Sequence, residues 1–345
     1  MGDIDFEKMN SKRRALYECM WRNLKPDFPV EKTMYQGKPS NNSYTFKGAY
    51  ETGSKKCRET LMKIFEIKDK ELFDEKFGLS ISGSGQELKR IATIHSSSLC
   101  TLLFFYSVSE EHPLELNIGG IDYVFHYSHF EYQNIVIEGR QPSNMDVVLV
   151  GIEKNSCEKV VFFLESKFSE YYDRPGKKME IAKEYLQDTC PIGQRIYRSE
   201  WFKDVISGLD EHADDSKFVI YFDKSCYLEG IKQMISHYIG VVNRWKTPGE
   251  KDEIAKAIKN GAKVLLGEIL FTDRIGDLLL SKEVTYFSSY SEKYQQLAAG
   301  LNKDILRNGM QGKISVLPEL LSYDLFKKLD FITDEKVKEF YFNMG

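Results

Sequence analysis

Between positions 146 and 168 the chain carries two β-branched and aromatic runs, Asp146 to Ile152 (Asp-Val-Val-Leu-Val-Gly-Ile) and Lys159 to Phe168 (Lys-Val-Val-Phe-Phe-Leu-Glu-Ser-Lys-Phe), joined by the polar turn Glu153 to Ser156. Apolar runs of this length and composition on either side of a short polar turn predict a β-hairpin. Successive side chains of a strand point to opposite faces, so Glu165 and Lys167 share one face while Leu164, Ser166 and Phe168 share the other. With the turn near Lys154, strand pairing brings Asp146 close to Glu165 at the open end of the hairpin.

That placement has a chemical consequence. Two carboxylates a few ångströms apart repel unless a cation lies between them, so the pair predicts a hard-metal site. Mg²⁺ held by both acids can polarise a phosphoryl oxygen and lower the pKa of a bound water, and an adjacent lysine can orient that water and steady the developing charge. The chemistry fits phosphodiester hydrolysis without a covalent nucleophile. Acid-x-Lys triplets also occur at Glu66-Ile-Lys68, Asp74-Glu-Lys76, Glu87-Leu-Lys89, Asp215-Ser-Lys217 and Asp334-Glu-Lys336. Only Glu165-Ser-Lys167 ends an apolar strand preceded by a second strand that opens with Asp. Three ionisable groups beside such a strand are costly to bury without a compensating role, and a strand-end salt bridge is the plainer alternative.

Around the hairpin the pattern changes several times. Helix-like segments at Asn10 to Leu24 and Ser54 to Phe77, separated by a Gly, Pro, Asn and Ser stretch from Gln36 to Ser43 that reads as loop, predict an N-terminal helical extension over 1–80. Ser84-Gly85-Gln86-Glu87 fits a capping box opening a long helix to Tyr106. Leu114 to Ile118, Tyr123 to Tyr127 and Gln133 to Ile137 read as short strands of a meander. Residues 170–215 read as a polar, mostly helical insertion before a strand at Phe218 to Phe222, a helix at Tyr227 to Trp245 and a buried strand at Ala262 to Phe271. From 276 to 345 the pattern is mainly helical, with Pro318 a local break, and this C-terminal region is expected to pack on the core.

Asp146, followed nineteen positions on by Glu165-Ser166-Lys167, resembles the motif of the PD-(D/E)XK nuclease superfamily, and the order of elements over about 81–275 agrees with it. Pro142 stands four residues before Asp146 instead of next to it. The resemblance implies an α/β fold with a restriction-endonuclease-like core, a mixed central sheet flanked by helices, and additional helical N- and C-terminal regions. It implies a Mg²⁺-dependent nuclease, Mn²⁺ able to substitute, acting on nucleic acid and most readily on DNA. Asp146, Glu165 and the peptide carbonyl of Ser166 then bind metal, Lys167 positions the water, and Glu87 and Gln233 match an acid on the first helix and a glutamine on the later helix. Glu87 is also fully explained as a capping-box residue, and Gln233 as a solvent-facing one. Cutting two strands is readily done by two symmetric sites, so a homodimer fits this reading.

Composition limits the alternatives. The formal net charge is −4, from 48 Lys plus Arg against 52 Asp plus Glu, so charge alone does not announce a nucleic-acid binder. The basic cluster Lys12-Arg13-Arg14 and the pair Lys177-Lys178 are each a solvated face or a phosphate grip. The six cysteines are scattered without short-spaced pairs, which points to reduced core thiols. The N-terminus lacks a signal-peptide pattern and no apolar run approaches bilayer length, so a cytoplasmic protein without membrane contact is expected. His95 and Ser96 to Ser98 lack a nucleophile elbow. No phosphate-binding Gly-rich loop is present. Two rivals remain: a catalytically silent nucleic-acid-binding or assembly module on the same fold, and a metal-dependent phosphoesterase for small substrates.

Overall fold

The computed structural model describes Met20, Leu24 and residues 27–342, apart from 36–37, 51, 83–86, 169–177, 207, 212–216, 222–227, 272–283 and 330. In chain order the elements are β1 (Val30–Tyr35), β2 (Lys38–Phe46), α1 (Ser54–Ile64), α2 (Lys70–Ser80), α3 (Glu87–Ile91), α4 (Ser97–Phe105), β3 (Leu114–Ile118), β4 (Ile121–Asn134), β5 (Ser143–Glu153) and β6 (Lys159–Lys167). They continue with β7 (Lys178–Ala182), α5 (Pro191–Tyr197), α6 (Glu200–Lys203), β8 (Gly208–Glu211), β9 (Lys217–Tyr221), α7 (Leu228–Lys246), α8 (Glu253–Lys259) and β10 (Lys263–Leu270). The C-terminal part holds α9 (Val284–Arg307), β11 (Ile314–Val316), β12 (Leu321–Ser322), α10 (Leu325–Lys328) and α11 (Glu335–Phe342).

The architecture is α/β, with a mixed central sheet of seven strands flanked by helices. Its order is β11-β10-β6-β5-β4-β3, with β12 also paired to β10. Strands β3 to β6 form an antiparallel meander, whereas β10 runs parallel to β6, β11 and β12. The β5–β6 hairpin forms as its apolar runs predict, pairing from Val147 with Leu164 to Ile152 with Lys159. Except for Lys159, every residue of β6 is buried, the pattern of a strand covered on both faces. Its two faces meet different helices. On the Glu165 face lies α7, which brings His237 to that residue. On the other face Ser166 Oγ lies 2.7 Å from Tyr323 Oη, and Phe168 packs edge-on against Tyr341 of α11.

Several expected elements differ. The single helix from Ser84 to Tyr106 is two short ones, α3 and α4. Thr93 leaves the helix to bridge Thr45, and Ser96 caps α4 by accepting from Leu99 N at 3.0 Å. A Ser side chain that bonds the backbone offers an alternative to continuing the helix. Of the expected capping box, Ser84 to Gln86 lie outside the described residues, and Glu87 opens α3. Tyr123 to Tyr127 and Gln133 to Asn134 belong to one strand of 14 residues, β4, with a register shift between Phe125 and Tyr127 and a positive φ of 51° at Glu131.

Of the stretch expected as loop at Gln36 to Ser43, Gln36 and Gly37 lie outside the described residues and Lys38 to Ser43 belong to β2, which pairs antiparallel with β1, so the N-terminal extension is not purely helical. It is fixed by aromatic contacts: Phe28, Phe46 and Phe65 all pack against Phe340 of α11 with ring centroids 5.2 to 5.4 Å apart. The insertion is mixed rather than mostly helical, because β7 and β8 pair with β9 in a separate three-stranded sheet. The C-terminal region does more than pack on the core, since β11 and β12 extend the central sheet. At three and two residues both are too short for periodicity to show. The proposed helix at Asn10 to Leu24 lies outside the described residues except for helical Met20 and Leu24. The Lys12-Arg13-Arg14 cluster and Lys177 also lie outside them. Among the described residues no helix is long and apolar enough to cross a membrane.

Candidate active site

The β5–β6 register places Asp146 one step beyond the Val147–Leu164 pair, directly across from Glu165. In place of a further ladder bond, the Ser166 amide donates to Asp146 Oδ2 at 2.7 Å, which anchors the carboxylate at the open end of the hairpin. Lys167 Nζ donates to Glu165 Oε1, and both side chains are buried. The predicted trio is therefore assembled by strand alternation and hairpin register. Ser166 contributes its amide here, while its hydroxyl points to Tyr323 on the opposite face.

These three residues line a cavity of about 1080 Å³ together with Glu87 and Gln233. Glu87 is the first residue of α3 and is buried. Gln233 lies on α7 and is half-buried. Lys89, Arg90 and Lys232 line the same space, as do the amide side chains Gln133, Gln141 and Asn144 and the stretch His95 to Ser98.

Three site residues were missed by sequence reasoning. His237 sits one helical turn beyond Gln233, a spacing that puts both on one face. That spacing was the available signal. Its Nε2 lies 2.9 Å from Glu165 Oε2, and its Nδ1 lies 2.6 Å from Ser143 Oγ at the start of β5. Ser143 itself carries no sequence signal. Glu131 lies across β4–β5 from Asp146, between the pairs Phe130–Val147 and Tyr132–Met145, and accepts from Asn144 Nδ2 at 3.3 Å. A further acid, Glu268, is in register with Glu165 on β10, but its Oε2 accepts from Tyr290 Oη at 2.7 Å.

Helix α7 is held where it delivers His237 and Gln233. Asn243 Nδ2 donates to the carbonyls of Ile135 at 3.0 Å and Val136 at 3.1 Å, and Arg244 Nη2 donates to that of Gln133 at 2.9 Å. Gly240 permits the approach, since a Cβ there would stand 2.8 Å from Asn134 Cβ. Gly240→Ala is expected to push α7 off the sheet, costing about 1–3 kcal/mol as an overpacked contact does. The denaturant midpoint reads the loss.

The acids divide electrostatically. Burial raises the Glu165 pKa, but the Lys167 charge and the neighbouring His237 outweigh it and bring the carboxyl down to about 2. Asp146 keeps part of its surface open to the cavity yet is hemmed in by protein. Burial first, then the Glu165 and Glu131 charges, push it well above the usual carboxylate range against the pull of Lys167 and the Ser166 amide. Glu131 is raised to about 7, chiefly by burial and by Glu87 and Glu165, against the Asn144 hydrogen bond and Arg90. Its folded pKa thus exceeds its unfolded value near 4.5, so stability is lost as pH rises from about 4.5 through 7. Glu131→Gln is expected to remove that loss, raising stability at pH 8 by roughly 1–3 kcal/mol and leaving it unchanged at pH 4. Denaturant melts at the two pH values check this.

Two carboxylates on adjacent strands, one of them raised by burial and by the other's charge, form a donor set suited to a divalent cation. Among the described residues no three His, Cys, Asp or Glu side chains are already gathered as a metal group. Glu165 is instead engaged by Lys167 and faces His237. Comparison of the chain with protein-family models, with curated proteins and with solved structures finds no match.

Proposed function

We propose that the chain is a metal-dependent nuclease with a restriction-endonuclease-like core, hydrolysing phosphodiester bonds in nucleic acid, with DNA as the preferred substrate. The observation that carries this reading is the meeting of Asp146 and Glu165 across β5–β6, with Lys167 on the Glu165 face, in a large polar cavity. Asp146 and Glu165 would hold the ion, with the Ser166 carbonyl beside them. Mg²⁺ or Mn²⁺, when bound, supplies an activated water and neutralises charge on the phosphoryl oxygens. Lys167 holds Glu165 in place and offers the ammonium that orients the attacking water. Lys89, Arg90 and Lys232 supply phosphate contacts, and the Gln and Asn side chains offer hydrogen bonds along the strand. The preference for DNA rests on the resemblance of the motif.

One observation favours the rival of a silent nucleic-acid-binding module: Glu165 Oε1 is already engaged by Lys167, and His237 Nε2 stands 2.9 Å from its Oε2. The test is incubation of the purified chain with supercoiled plasmid, linear duplex and single-stranded RNA in Mg²⁺, Mn²⁺ or EDTA. Metal-dependent nicking supports the nuclease. Binding that survives Glu165→Gln, with no cleavage of any substrate, replaces it with the binding module.

A further inference from the structure

Glu165 Oε2 and His237 Nε2 are both sealed from solvent and only 2.9 Å apart, yet neither makes a hydrogen bond. The ring nitrogen is close to the carboxylate oxygen but not aimed along the line between them. Leaving a buried donor or acceptor unsatisfied is costly, and here two such atoms face each other. The other ring nitrogen is occupied, with Ser143 Oγ at 2.6 Å from Nδ1. A hydroxyl that accepts from Nδ1–H leaves the Nε2 lone pair facing the acid.

This is the geometry of two neighbouring ligands of one cation. With metal–ligand bonds of about 2.1 Å at right angles, the two ligand atoms lie about 3.0 Å apart, and each bond diverges by about 45° from the line joining them. A metal-bound histidine is also held by a hydrogen bond on its other nitrogen, the part Ser143 plays. We propose that His237 Nε2 is a direct metal ligand beside Glu165, and that this nitrogen tunes the centre toward a first-row transition ion such as Mn²⁺ over Mg²⁺. The inference rests on the metal-dependent reading of the site and adds a ligand that the two acids and the Ser166 carbonyl do not include. An imidazole in an otherwise all-oxygen set favours transition ions over Mg²⁺, which prefers oxygen and water. Ser143 is a positioning residue in this arrangement, acting through His237.

The test is Mn²⁺ titration of the full chain followed by electron paramagnetic resonance, with pulsed detection of ¹⁴N coupling to the bound ion. Wild type is expected to bind Mn²⁺ with imidazole nitrogen coupling. His237→Gln should lose that coupling and weaken Mn²⁺ binding at least about 10-fold, with a smaller change for Mg²⁺ in competition. Ser143→Ala should keep the coupling at reduced affinity. Bound Mn²⁺ without nitrogen coupling in wild type overturns the proposal while leaving the metal centre standing, and this outcome does not depend on any variant folding. No Mn²⁺ binding by wild type overturns both the proposal and the reading it rests on.

Discussion

Glu165→Gln is expected to abolish metal-dependent cleavage, by about 10²–10³-fold or more, and to destabilise the fold at the same time. In the proposed centre the activity loss follows from removing the charge of Glu165 at the place where Asp146, Lys167 and His237 converge on it. The stability loss follows from what remains: Lys167 stays buried after losing its carboxylate partner. Breaking a buried pair from one side costs about 3–5 kcal/mol. The pH dependence has a definite sign. The carboxyl is held near 2 in the fold against 4.5 unfolded, so its stabilisation is present above about pH 4.5 and disappears as pH falls toward 2. Chemical denaturation should therefore separate wild type from Glu165→Gln widely at pH 7 and little at pH 2.

Asp146→Asn is expected to lose cleavage on the same scale but to stabilise the protein. Burial and the neighbouring Glu165 and Glu131 charges hold the Asp146 carboxyl well above its ordinary value of 3.8. Its stabilising contribution is complete below that value and is lost as pH rises through the folded pKa, because the unfolded chain ionises first. Asn is close in shape, can accept from the Ser166 amide and never ionises. The gain should be absent below pH 3.8 and grow above it, with a melting temperature higher by about 2–4 °C for each kcal/mol relieved. Two acids of one centre thus give opposite stability changes and the same loss of activity. A pair serving only as strand-end structure would not lose activity in either variant.

The hairpin and its register were legible because burial on both faces forces an apolar run, and strand alternation then fixes which side chains share a face. Asp146 opposite Glu165, and Lys167 beside it, followed from those two rules. The α7 helix and the β10 strand were legible for the same reason, each being long and strongly patterned. The rest failed for identifiable reasons. Ser96 interrupts what periodicity reads as one helix by capping a second. β2 carries Pro39, Asn41, Asn42 and Ser43, residues of turn chemistry that here belong to a two-stranded hairpin. The strands β11 and β12 are too short to show a period. At the site, Ser143 and its pairing with His237 were hidden because the two stand 94 positions apart and their contact depends on how α7 docks. Glu131 was hidden within a strand whose left-handed backbone at that position no sequence pattern signals.

The proposal makes Asp146, Glu165 and Lys167 one hydrolytic centre. It is tested most directly by the single-turnover cleavage rate of an end-labelled DNA in Mn²⁺, for wild type and Lys167→Ala, with binding of the same DNA measured in EDTA. The expected result is cleavage by wild type that EDTA stops, and a rate at least about 10²-fold lower in Lys167→Ala with binding retained. Cleavage by Lys167→Ala at the wild-type rate, or wild-type cleavage that persists in EDTA, would contradict it.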